Sequence, residues 1–147
     1  MANYRNISMD FWSDTEGEWF CRPDGSWGMK DAFGQEIKES WVVSSQTWYY
    51  LDEAGVMAEG LKEIGGKYYC FRKDSENEGK LLVGWILWEG KWYYGSEKAG
   101  SLGEVRFGWL KIRGKWYYFG TDGVMLMNAR TPDGYFVGAD GAWIPGL

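Results

Sequence analysis

The chain has 147 residues, 16 of them basic and 21 acidic, for a formal charge of -5, and it contains no histidine. The missing imidazole excludes Ser-His-Asp and Cys-His nucleophiles and zinc sites that need that ligand. The acidic balance argues against partnership with nucleic acid, and no apolar run approaches the ~20 residues that span a bilayer, which argues against membrane insertion.

The aromatic and glycine content is unusual: 11 Trp, 10 Tyr, 7 Phe and 22 Gly, against 3 Pro. The opening MANYRNISMD has neither an apolar segment nor a cleavage pattern, so no signal peptide is visible. From there the aromatics recur in order. Trp12 and Trp19 are seven residues apart, as are Trp41 and Trp48, Trp85 and Trp92, and Trp109 and Trp116. Leu61 and Tyr68, then Asn128 and Tyr135, keep that spacing with weaker residues. Each second member opens a mostly aromatic triplet, such as Trp48-Tyr49-Tyr50 or Trp116-Tyr117-Tyr118. These marks predict six units starting near 12, 41, 61, 85, 109 and 128 in one repeat domain over 1–147, with an irregular insertion at 28–40 and an exposed one around 74–79.

Gly17, Gly66, Gly90 and Gly114 fall between the paired positions, where glycine supplies the positive φ of a tight hairpin. A second turn follows each triplet, as in DEAG at 52–55 and TDG at 121–123. Aromatic and β-branched runs between such turns are strands. Each unit is therefore a β-hairpin, marginal alone, and stacked units bury a shared aromatic spine. The expected fold is all-β, a solenoid of stacked hairpins.

A hairpin turning midway between the paired aromatics sets them opposite each other on one face, with the third triplet residue beside them and the middle one turned inward. Trp109, Trp116 and Tyr118 then share a face, and Tyr93 and Tyr117 point to the interior. Aromatic stripes ordinarily form core, and Met fills gaps in it. On that reading Trp27 and Trp143 cap and pack the two ends, Trp88 sits exposed in a hairpin turn, and the acidic residues form a solvated surface. Cys21 and Cys70 occupy one column two units apart, too far for a disulfide, and are read as free, largely buried thiols. No metal set and no cofactor site is apparent.

The segments GWLKIRGKWYYFGTDGVMLMN (108–128), GWILWEGKWYY (84–94) and SWVVSSQTWYYLDEAGVMAEG (40–60) resemble the choline-binding repeat, the cell-wall-binding repeat of Gram-positive surface proteins. The closing NARTPDGYFVGADGAWIPG is similar to the last unit of such modules. The resemblance implies a left-handed superhelix, with choline held between successive hairpins by two Trp of one unit, a Tyr of the next and a Met at the side. It also implies anchoring to choline or phosphocholine on teichoic acid, an extracellular, wall-associated location, and compatibility with a homodimer through the terminal hairpins.

Carried over unit by unit, one choline set is Trp85, Trp92, Tyr118 and Met125, and a second is Trp12, Trp19, Tyr50 and Met57. Trp41 and Trp48 face Cys70, and Trp109 and Trp116 face Val137, so these two junctions are expected to be degenerate. Between the units at 61 and 85, Leu61 and Tyr68 replace both Trp. Physics favours the cage independently, since a quaternary ammonium has no N–H to donate and is held by aromatic faces. The expected function is non-catalytic wall binding, with any catalytic domain outside this chain. The alternative is a glucan- or carbohydrate-binding repeat of a surface protein or toxin, because the two families share vocabulary and aromatic platforms also stack on sugars, with glycans as partners.

Overall fold

The computed structural model describes residues 13–73 and 78–147. Among them the chain forms six two-stranded antiparallel sheets in strict succession, with no helix. The hairpins are β1 Glu18–Cys21 with β2 Trp27–Lys30, β3 Ser40–Ser44 with β4 Thr47–Leu51, and β5 Gly60–Ile64 with β6 Lys67–Phe71. They continue with β7 Gly84–Trp88 and β8 Lys91–Gly95, β9 Gly108–Ile112 and β10 Lys115–Phe119, and the short pair β11 Ala129–Arg130 and β12 Phe136–Val137. This is the all-β hairpin stack expected of a solenoid.

The four central hairpins turn in two residues, and both turn residues take positive φ: Ser45 and Gln46, Gly65 and Gly66, Glu89 and Gly90, Arg113 and Gly114. Such turns match the twist of the flanking strands, which is why glycine recurs at the second turn position. Glycine there centres the β7–β8 turn between Glu89 and Gly90, so Trp85 pairs with Tyr94 and Leu87 with Trp92. The paired Trp share a face but stand diagonally across it, not opposite each other as expected.

The first hairpin is differently placed from its sequence reading. Trp12 lies outside the described residues. Gly17 is not in the left-handed region and does not turn a hairpin; a Cβ on it would lie 2.6 Å from the Lys30 carbonyl. The PDG at 23–25 closes the β1–β2 hairpin, with Trp19 paired to Met29 and Cys21 to Trp27. Lys30 then bridges Glu36 as Leu51 bridges Met57. Residues 28–36, expected as irregular insertion, are thus the second strand, turn and tail of a regular unit. Asp31 marks that turn: its Oδ1 accepts from the amides of Phe33 and Gln35, as Asp52 accepts from those of Ala54 and Val56.

Successive units are joined by one recurring backbone bond. The amides of Met57, Leu81, Val105, Met125 and Trp143 donate to the carbonyls of Trp27, Trp48, Tyr68, Trp92 and Trp116 of the preceding unit, at 2.8–2.9 Å. The side chains of these tail residues then run under the next unit's turn. A Cβ on Gly79, Gly103, Gly123 or Gly141 would lie within 2.8 Å of Met57, Leu81, Val105 or Met125 respectively. The core follows this stacking as a series of apolar clusters, around Leu51, Phe71, Ile86 and Phe119 in turn.

The two thiols are free, but only Cys70 is buried; Cys21 is exposed on β1. Burial pushes the Cys70 thiol up to about 11. Trp88 also departs from expectation: it is a half-buried residue of β7, its ring 2.8 Å from where a Cβ on Gly60 would stand.

Candidate functional site

The recurring bond between units fixes what meets at each junction: the two paired positions of one hairpin, the middle triplet residue of the next (at the last junction Tyr135, which opens its triplet), and the tail residue whose amide is donated back. At the fourth junction these are Trp85, Trp92, Tyr117 and Met125. Trp85 stands perpendicular to Trp92, centroids 6.1 Å apart, and to Tyr117 at 4.9 Å. Met125 is buried against Trp92. The ring offered by the next hairpin is therefore Tyr117, not Tyr118. Tyr118 pairs across its own hairpin with Trp109, at 5.2 Å. The residue taken as inward-facing is the one that reaches back, because what is interior to one hairpin is the contact surface of its predecessor.

The last junction gathers the most aromatic rings, around an open cleft. Trp109, Trp116, Tyr135 and Trp143 line a cavity of about 360 Å3 together with Asp133. Its walls are nearly perpendicular: Trp109 to Trp116 at 6.5 Å and 83°, Trp109 to Tyr135 at 5.9 Å and 82°, Tyr135 to Trp143 at 6.0 Å and 89°. Trp109 and Trp116 were expected to face Val137 in a degenerate site, but Val137 is fully buried and Tyr135 takes the wall. The bridge from Val137 to Trp143 matches that from Phe119 to Met125, so Tyr135 is equivalent to Tyr117 and Trp143 to Met125. Trp143, read as a capping residue, is thus a wall of the cavity.

The turn before β12 builds the polar corner of this cavity. Thr131 is buried; its Oγ1 accepts from the Tyr135 amide and donates to Asp133 Oδ1. Trp109 Nε1–H donates to Asp133 Oδ2 at 2.9 Å. The Thr131 hydroxyl first, then the Trp109 indole, hold the Asp133 carboxyl below the usual carboxylate range, so it is ionised at neutral pH.

At the first junction Trp19, Trp27, Tyr49 and Met57 line a cavity of about 420 Å3, with Glu78 at its edge. Trp19 and Tyr49 meet edge to face at 5.1 Å, and Trp19 Nε1–H donates to Ser44 Oγ at 3.1 Å. Trp19 and Met57 of the expected set are present here. Tyr50 belongs instead to the buried cluster with Trp48, and Trp27, read as a cap, supplies a wall. Aligning Asp31-Ala-Phe-Gly34 with Asp52-Glu-Ala-Gly55 would have exposed this in the sequence.

The second junction keeps its rings, with Trp41 perpendicular to Trp48 at 6.3 Å and to Tyr69 at 4.9 Å. Cys70 plays no part in it. Trp48, Tyr50, Tyr69 and Leu81 are buried there, and Trp41 and Leu102 pack against them, so the junction is core. The third, of Leu61, Tyr68, Tyr93 and Val105, has no Trp at these four positions, and Trp88 packs against the cluster that Tyr93 and Val105 form. Glu59 lies beside the first cavity, on a surface it shares with Glu78. Its hydrogen bond to Glu78, then burial, push its carboxyl up to about 7.

Comparison with known proteins places this architecture. Residues 107–143 match the model described as choline-binding repeat, and residues 39–57 match the one described as putative cell wall binding repeat. No curated protein sequence matches significantly. A choline binding domain from Streptococcus pneumoniae is 32% identical over 59% of this chain and 95% of its own, with a TM-score of 0.49. Choline binding protein F of that organism is 29% identical over 88% of this chain and 48% of its own, with a TM-score of 0.49. The modular Cpl-1 endolysin, solved with a peptidoglycan analogue, shares the fold: TM-score 0.61 at 24% identity, over 95% of this chain and 40% of its own. The chain spans about half the length of choline binding protein F. The chain belongs to the choline-binding repeat family.

Proposed function

We propose that this chain is a non-catalytic, extracellular wall-binding module that holds the choline of teichoic acid in aromatic cages between successive hairpins. The observation that carries the reading is the terminal cleft, where four rings, set at near right angles to their neighbours, line an open space of about 360 Å3. Electron-rich faces converging from several sides suit a permanently charged, fully methylated nitrogen. The same plan recurs at Trp85, Trp92, Tyr117 and Met125, and at Trp19, Trp27, Tyr49 and Met57. Each ring contributes roughly 0.5–2 kcal/mol, so one cage binds weakly, and several on one rigid stack gain avidity on a polymer that repeats its ligand.

Titrating choline while following tryptophan fluorescence tests the reading. A saturable change complete by tens of millimolar, about the weak end of useful affinities, is expected, together with retention on a tertiary-amine resin. Retention on dextran, with no response to choline, would instead establish the glucan-binding alternative.

A further inference from the structure

The three cages differ in what their first indole N–H meets. In the first cage Trp19 Nε1–H donates to a neutral hydroxyl, that of Ser44. Among the described residues no carboxylate accepts from Trp85 or Trp92. In the terminal cage the acceptor is a carboxylate, Asp133, which also lines the cavity itself.

We infer that Asp133 is the specificity-determining counter-charge of the terminal cage, making it select a cationic ligand over a neutral one of the same shape. This rests on the reading of the cages as choline sites. Two effects act together. An anionic acceptor on the indole N–H strengthens that bond and leaves the ring face more electron-rich toward a cation. The carboxylate also places a negative charge directly on the cavity wall, within reach of a bound ammonium.

The geometry is held by design of the turn. Asp133 is clamped between the Trp109 indole and the hydroxyl of Thr131, a buried residue that itself takes the amide of Tyr135, a wall of the cage. Charge and ring are therefore set by one four-residue turn. Asp133 is open to solvent, so its contribution is moderate and salt-sensitive.

The test compares choline with 3,3-dimethylbutan-1-ol, its uncharged isostere, in the wild type and in Asp133→Asn. Asparagine keeps an oxygen to accept from Trp109 and removes the charge. The Trp109 indole resonance in a nitrogen-15 spectrum reads this one cage in the intact chain. We expect Asp133→Asn to weaken choline at Trp109 three- to tenfold, to leave the alcohol unchanged, and to abolish most of the salt dependence at that resonance. The Trp85 resonance, reading a cage that Asp133 does not line, should titrate as in the wild type and report an intact fold. An unchanged choline-to-alcohol ratio at Trp109 in the variant would overturn the inference while leaving the cages as choline sites. A wild-type chain in which neither Trp85 nor Trp109 responds to choline would overturn the underlying reading, and the inference with it.

Discussion

The amide of Trp143 donates to the carbonyl of Trp116 at 2.8 Å, the same bond that Met125 makes to Trp92 at 2.8 Å. The backbone thus sets an indole where the first and fourth junctions set a thioether, and the terminal cage gains a fourth aromatic wall. Trp143→Met should convert it to the pattern of the Trp85 cage. One ring contact is worth about 1 kcal/mol, so choline affinity read at Trp109 should fall three- to tenfold. Far-ultraviolet circular dichroism should be unchanged.

Tyr117 and Tyr118 are adjacent but serve different junctions. Tyr117 lies 4.9 Å from Trp85, and Tyr118 lies 5.2 Å from Trp109. Tyr117→Leu should weaken choline at the Trp85 resonance by about tenfold, the loss of one cage wall. Tyr118→Leu should leave the Trp85 titration unchanged and disturb Trp109 instead. The opposite pattern would restore Tyr118 to the cage.

Gly141 and Gly134 separate two reasons for glycine. Both take positive φ, +84 and +93. A Cβ on Gly141 would lie 2.4 Å from Met125 Sδ, whereas one on Gly134 meets nothing within 4 Å. Gly134→Ala should cost only the backbone term, about 1 kcal/mol. Gly141→Ala should cost about 2–3 kcal/mol, because Met125 must also give way. Urea unfolding of the two variants checks the difference, and equal losses would place the whole effect in the backbone.

Glu59 gives stability a pH dependence. Its carboxyl is pushed from 4.5 up to about 7, so the folded chain holds a proton that the unfolded chain releases. The stability this contributes is complete below 4.5 and is lost as pH rises through about 7. Glu59→Gln should flatten that decline and raise stability at pH 8 by about 1 kcal/mol, allowing for solvent screening. Thermal unfolding at pH 5, 6, 7 and 8 reads it, and parallel wild-type and variant profiles would show that the Glu59–Glu78 pair does not share a proton.

Spacing alone made the hairpins, their stacking and the aromatic character of the junctions legible, because a two-residue turn with glycine leaves a fixed distance between its flanking aromatics. Trp85, Trp92, Trp109 and Trp116 needed nothing more to be placed on one face of their own strands. Which ring of the neighbour closes each cage did not follow. That choice depends on how one hairpin is rotated on the next, set by the backbone bond from the tail residue to the preceding strand, and a period in sequence carries no rotation. The same bond moved Trp27 and Trp143 from the ends of the molecule into its pockets. Leu102 closed the junction at Trp41 from an insertion that the repeat pattern does not describe. Local turn chemistry, in short, determined the units, and only their mutual packing decided which junctions stay open and which carboxylate stands in them.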